Sequence, residues 1–95
     1  MPLLTIMAKI KAKQNAIEKV REELLNLVEP TCQEKGCMDY ILHQDLEDPS
    51  VIMLYENWES NADLDAHMNA KHFKDCFAEI DGLYDLEVHR LTKLR

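Results

Sequence analysis

The chain has 95 residues, of which 31% are charged and 46% apolar, and its net charge is −7. This size and balance predict one folded domain over residues 1–95, because the chain carries too much apolar material for disorder. An acidic chain repels phosphate backbones and anionic lipid, so we expect no nucleic-acid partner. No window approaches the roughly 20 apolar residues of a membrane span, so we expect no membrane partner either.

The few cysteines and glycines limit the cofactors that we expect. Cys32, Cys37 and Cys76 form no C-x-x-C pair, which indicates reduced thiols and a cytoplasmic location. Gly36 and Gly82 stand far apart, whereas dinucleotide and phosphate loops need several glycines close together. The sequence therefore predicts no nucleotide or flavin cofactor.

The first half of the chain predicts a strand, a helix and a hairpin. LLTIMAKIKAK alternates apolar and polar residues, which is typical of a strand with one buried face. Asn15 and Glu18 resemble a capping box before a helical apolar pattern, and we expect this helix to stop at Gly36. Residues 37–45 and 51–58 then predict two strands joined by the EDPS turn.

The second half predicts helical material and a last strand. Ser60 and Asp63 form a second capping-box pattern, and the helical pattern that follows is expected to break near Asn69. Gly82 ends this region, and residues 84–92 read as the final strand.

The resulting order, βαββαβ, predicts an α+β fold of the ferredoxin-like type, with a four-stranded antiparallel sheet and helices on one face. The third strand is apolar on both sides, with Ile52, Leu54 and Trp58 on one side and Val51, Met53 and Tyr55 on the other. Helices can cover only one of these sides. We therefore expect a homodimer in which a second copy covers the other side, as a dimeric α+β barrel.

Two histidines and a tryptophan in the segment YENWESNADLDAHMNAKHF are candidates for a functional site. Trp58 is either a core residue or the wall of a pocket for a flat aromatic ligand. His67 and His72 lie five residues apart, so they share a site only if the helix breaks near Asn69. The alternative for both histidines is an ordinary surface position.

Glu56 is the most unusual carboxylate, because Leu54 and Trp58 occupy the same face of its strand. Such a carboxyl group either meets a partner or has its pKa raised by burial, which is the condition of a general base. The alternative is an edge glutamate that faces water.

A metal site is not expected. His72 and Cys76 have the i, i+4 spacing of two ligands on one helix face, but no third ligand follows at a recognisable spacing. Tyr40 and His43 lie three apart in a strand and hence on opposite faces, so at most one of them points into a given pocket.

The segments EKGCMDYILHQD, DPSVIMLYENWES and LDAHMNAKHFKDC resemble the antibiotic biosynthesis monooxygenase family, and most closely its small quinol monooxygenases. The matching pattern is E-x-G-C-x-x-Y, then E-x-W-x-S, then A-H followed by H-F, over most of the chain. The resemblance implies a dimeric α+β barrel and oxidation of a quinol or related polycyclic phenol by O₂ without flavin, haem or metal. The substrate would lose a proton in a closed apolar pocket, and its anion would pass an electron to O₂.

The resemblance also implies roles for individual residues. His67 would be the base, with His72 and Glu56 beside it in the catalytic set. The substrate-binding residues would be Trp58, Tyr40, Asn57 and Phe73.

Two other functions remain open at this point. Relatives that isomerise a small phosphorylated signalling sugar share an aromatic residue after the strand glutamate and a similar pair of histidines. That reaction needs a cation for the phosphate, and Lys71 and Arg90 are the candidates. The third possibility is a dimer that binds a small hydrophobic ligand without turnover.

Overall fold

A computed structural model describes residues 4–95, so Leu3 of the predicted first strand lies outside the described residues. The elements follow the predicted order, with the second helical region divided in two. They are β1 (Leu4–Ala12), α1 (Ile17–Cys32), β2 (Cys37–Gln44), β3 (Val51–Trp58), α2 (Asn61–Met68), α3 (Lys71–Glu79) and β4 (Tyr84–Leu91).

The four strands form one antiparallel sheet in the order β2-β3-β1-β4. In this register Glu56 of β3 lies opposite Ile6 of β1 and Tyr40 of β2, so all three side chains share one face. The predicted ferredoxin-like α+β fold is thereby confirmed.

The core lies between one face of this sheet and the helices. Ile6, Ala8 and Ile10 of β1 are buried and point toward the helices, whereas the intervening Met7 is half-buried and Lys9 is exposed, as the period-two pattern predicts. From α1, Val20 and Leu24 are fully buried against them. Fully burying such an aliphatic side chain stabilises the fold by about 1.5–3 kcal/mol, so the contacts of these two residues hold α1 on the sheet.

The helix starts predicted from the sequence agree with the structure only in part. Ser60 caps α2, because its Oγ accepts a hydrogen bond from the backbone N–H of Asp63 at 3.1 Å. The predicted capping box at Asn15 is wrong. Asn15 lies in a 3₁₀ turn, Gln14–Ala16, and α1 begins after it with no side-chain cap.

The second sheet face carries no helix in the described part of the chain. Met53 and Tyr55 of β3 are half-buried there, and Ile41 of β2 is 46% exposed. Asn57 is buried on this face, where it accepts a hydrogen bond from Thr5 Oγ1 at 2.6 Å. This mixed apolar and polar surface is the one that we expect, from the sequence, to be covered by a second copy of the chain.

A membrane-spanning helix is not found. Within residues 4–95, no helix combines the length and the apolar character that crossing a bilayer requires.

Candidate active site

An apolar cavity of about 150 Å³ lies between the sheet and the two short helices. Its walls come from every strand and from α2 and α3. Leu86 and Val88 of β4 line it and are about half exposed, so the cavity opens over β4. The polar side chains among its lining residues are those of Tyr40, Glu56, His67 and Arg90.

His67 is the buried histidine of this cavity, with 1% of its surface exposed. Its Nδ1 lies 2.9 Å from Oε2 of Glu34, a residue in the turn after α1. His72 Nε2 forms a hydrogen bond with the same carboxylate oxygen. One oxygen of Glu34 therefore joins a histidine at the cavity to a histidine whose side chain is one-third exposed.

The break between α2 and α3 brings the two histidines together. Asn69 closes α2 by donating a hydrogen bond from Nδ2 to the carbonyl oxygen of Asp65 at 2.8 Å, and α3 begins again at Lys71. On one continuous helix, His67 and His72 would point about 140° apart. The expected break near Asn69 is confirmed, and both imidazoles reach Glu34 across it.

Three aromatic rings enclose the imidazole of His67. The ring centroids of Trp58, Phe73 and Tyr40 lie 4.8, 4.9 and 5.4 Å from it. Burial among these rings lowers the pKa of His67, although the hydrogen bond to Glu34 acts in the opposite direction. His67 is therefore neutral at pH 7 and able to accept a proton.

Glu56 is buried at the cavity wall, where Trp58 Nε1 donates a hydrogen bond to its Oε1 at 2.8 Å. Burial raises the pKa of Glu56 to about 7; the hydrogen bond from Trp58 opposes this effect, and the charge of Glu34 adds to it. Both outcomes proposed for this carboxyl group, a partner and a raised pKa, occur together. Glu56 is consequently a second group that can exchange a proton near neutral pH.

The other sequence-predicted site residues fall in different places. Tyr40 and Phe73 line the cavity. Trp58 is fully buried and is not among the lining residues, so it contacts the site through Glu56 and His67 rather than as a wall. Asn57 lies on the opposite face of the sheet, where its Nδ2 donates to Asp39 Oδ2 at 2.9 Å.

The donor atoms of Glu34, His67 and His72 all lie within 4.8 Å of one another, a grouping that could also hold a metal ion. Cys76, considered above as a partner for His72, is not part of this group. Its thiol donates instead to the backbone carbonyl of Glu23 at 3.4 Å. The sequence-based expectation of no metal stays a prediction.

Glu34 is a polar residue of the site that the sequence patterns did not single out. It is the first residue of the E-x-G-C segment, and Gly36 in this segment adopts a φ of +82°. A Cβ at Gly36 would lie 2.2 Å from Oδ2 of Asp63 in the first turn of α2. Glycine therefore lets the turn that carries Glu34 pack directly against α2, the helix that carries His67.

Comparison with known proteins agrees with this architecture. The family model described as antibiotic biosynthesis monooxygenase matches residues 3–79, a range that includes Glu34, Glu56, His67 and His72. The chain belongs to the antibiotic biosynthesis monooxygenase family. The resemblance noted from the sequence motifs is thus confirmed.

Among curated proteins, the chain is similar to the one named "Probable quinol monooxygenase YgiN" from Escherichia coli K12. The two are 29% identical over 91 residues, which cover 84% of this chain and 86% of that protein. The present chain is also 25% identical to the uncharacterized protein sll1783 from Synechocystis over 72 residues, which cover 76% of this chain and 49% of that protein.

Solved structures of similar chains share the whole fold. PA3566 from Pseudomonas aeruginosa is 32% identical, with a TM-score of 0.96 over 100% of this chain and 97% of that one. A crystal structure described as an antibiotic biosynthesis monooxygenase is 31% identical, with a TM-score of 0.90 over 97% and 99% of the two chains. The fold is therefore that of the family.

Proposed function

We propose that the protein is a cofactor-independent monooxygenase that oxidises a quinol or a related polycyclic phenol with O₂. The observation that carries this proposal is His67, a neutral imidazole in the wall of an otherwise mostly apolar cavity. Such a group can take the proton of a phenolic hydroxyl, and the apolar walls suit a flat aromatic ring. The similarity to the curated protein named for quinol oxidation supports the same substrate class.

The proposed reaction begins when His67 accepts a proton from one substrate hydroxyl. The quinolate anion passes an electron to O₂, and the two radicals combine to a peroxide on the ring. The protonated His67 returns its proton to the peroxide. The ring carbon that carries the peroxide then loses its hydrogen as a proton while the O–O bond breaks, so that this proton and the hydroxide leave as water and a carbonyl oxygen stays in the product. Four electrons leave the substrate and four reduce O₂, so no external reductant is needed.

The cavity restricts where such a substrate can bind. An apolar cavity of about 150 Å³ accommodates a single aromatic ring. The second ring of a two-ring quinol would then lie in the opening, against Leu86 and Val88. His67 and Glu56 line the same cavity, and each can exchange a proton with the substrate.

Oxygen consumption tests the proposal. Purified protein treated with a chelator is expected to accelerate O₂ uptake with a two-ring quinol as the only reductant. The rate is compared with the same quinol in buffer, because quinols also react with O₂ spontaneously. Uptake that depends on added metal would contradict a cofactor-independent reaction.

Isomerisation of a phosphorylated sugar is the second candidate, and a single observation favours it. Arg90 lines the cavity, whereas Lys71 is exposed and pairs with Asp75 on α3. One cation at the opening could receive a phosphate group. Product formation from a phosphorylated sugar, without O₂ uptake from quinols, would favour this function. Tight binding of quinols without turnover would favour a ligand-binding dimer.

We also propose that the protein is a cytoplasmic homodimer that uses the helix-free sheet face. A carboxylate buried without a partner in such an interface costs several kcal/mol, so Met53→Glu is expected to convert the dimer to monomer or to insoluble protein. Sedimentation at micromolar concentration measures the result. A native chain that sediments as an 11.1 kDa monomer would contradict the proposal, as would a Met53→Glu variant that remains a soluble dimer.

A further inference from the structure

Glu34 holds the two histidines but does not itself line the cavity. Its Oε2 lies 2.9 Å from His67 Nδ1. Because a carboxylate oxygen can only accept hydrogen bonds, the Nδ1 of His67 is the nitrogen that carries the proton. Within residues 4–95, the side-chain hydrogen bond of the His67 ring is made by Nδ1.

We propose that Glu34 is a positioning residue that holds His67 in the Nδ1–H tautomer, with the free electron pair of Nε2 available to the cavity. This inference rests on the proposed function in one respect, since it takes His67 to be the base. A neutral imidazole carries one proton, and in the Nε2–H tautomer its cavity nitrogen is a donor that cannot accept a proton. The hydrogen bond to Glu34 thus favours the tautomer in which Nε2 can accept a proton from the substrate.

The same contact stabilises the charged form of His67. When His67 takes a proton from the substrate, it becomes an imidazolium surrounded by aromatic rings and largely without water. The carboxylate of Glu34, hydrogen-bonded to Nδ1, offsets the cost of placing that charge there. Glu34 would therefore act mainly on the turnover step rather than on substrate binding.

His72 fixes the position of Glu34. Its Nε2 bonds the same oxygen from the outer side, where its side chain is one-third exposed. The other titratable or charged groups that line the cavity with His67 are Tyr40, Glu56 and Arg90, one on each of β2, β3 and β4. Burial raises the pKa of Tyr40, which keeps the phenol neutral, but Glu56 titrates near pH 7. The titration of His67 is therefore best followed in Glu56→Gln protein.

The test compares the imidazole nitrogen NMR signals of His67 in the parent protein and in Glu34→Gln. The parent is expected to show a protonated Nδ1 and an unprotonated Nε2. In Glu34→Gln the Nε2–H form should appear, because the glutamine side chain can present its NH₂ group to Nδ1. The imidazolium should also form only at lower pH, since the negative charge is gone.

Turnover gives a second readout. In Glu34→Gln we expect kcat to fall about 10- to 100-fold or more with KM nearly unchanged, because the base is no longer held in its active tautomer. Glu34→Asp keeps the charge and should retain the Nδ1–H tautomer, which provides a readout if Glu34→Gln folds poorly. Glu29→Gln, on the exposed side of α1, is the matched control and should leave tautomer and turnover unchanged.

Two outcomes would overturn the inference. One is an unchanged His67 tautomer and kcat in Glu34→Gln. The other is a stoichiometric metal ion bound by the parent protein and lost in Glu34→Gln, because the three residues would then be a metal site. If the tautomer changes as expected but the parent protein oxidises no quinol, the positioning role of Glu34 is supported and the proposed function alone fails.

Discussion

Replacing His67 by alanine is expected to lower quinol turnover by about 10²-fold or more, because general-base catalysis by one side chain typically contributes 10²- to 10⁴-fold. The loss should appear in kcat rather than in KM, since the apolar walls that hold the ring remain. Steady-state O₂ uptake, corrected for the reaction in buffer, measures both constants.

The controls separate lost chemistry from lost structure. His67 is buried, so alanine leaves a cavity that costs stability, whereas His67→Gln keeps most of the volume and a donor for Glu34. Both variants should lose activity. Glu29→Ala, at an exposed position of α1 away from both the cavity and the helix-free sheet face, should retain it. Full activity in both His67 variants would move the base to another residue, with Glu56 as the first candidate.

Replacing Glu56 by glutamine is expected to stabilise the protein at alkaline pH. The folded pKa of Glu56, about 7, lies above its ordinary value of 4.5, so the folded protein binds this proton more tightly than the unfolded chain. Stability is therefore lost as the pH rises from about 4.5 through 7. At about 1.4 kcal/mol per pKa unit, the loss amounts to about 3 kcal/mol at pH 8.

Glutamine removes this titration and keeps a carbonyl oxygen for the N–H of Trp58. We expect the unfolding free energy of Glu56→Gln, relative to the parent, to increase by about 3 kcal/mol between pH 4.5 and pH 8. Denaturant unfolding at a fixed protein concentration measures it. Glu59→Gln, at an exposed neighbouring position, should show no such pH dependence. If the difference in unfolding free energy between Glu56→Gln and the parent did not change with pH, the carboxyl group would be ionised in the folded protein at little cost.

The sequence predicts most of the fold, because each element carries a clear period. The predicted third strand has the observed bounds, Val51–Trp58, and the last strand is one residue shorter than predicted. The predicted helix start at Asn15 is wrong, because the capping pattern does not distinguish the start of an α-helix from the 3₁₀ turn that precedes it here. Side-chain capping was therefore a weaker guide than hydrophobic periodicity.

The site was predictable where local geometry decides it. The break near Asn69 brings His67 and His72 together, whereas Glu34 lies 33 residues before His67, and its contact depends on packing between α2 and the turn after α1. Side chains alternate between the two faces of a strand, so Asn57 lies on the opposite face from Glu56. A substrate-binding role for Asn57 beside Glu56 therefore conflicts with this alternation. The E-x-G-C segment held the one sequence signal for Glu34.

The most direct test of the account is the pH dependence of kcat/KM for quinol oxidation by metal-free protein, measured as O₂ uptake above buffer. With neutral His67 as the base, activity should rise with pH through a value below the ordinary histidine pKa of about 6.5, because burial lowers the pKa of His67. Glu56→Gln should keep this rise. Uptake no faster than buffer at any pH, or a rise near pH 7 that disappears in Glu56→Gln, would contradict the account.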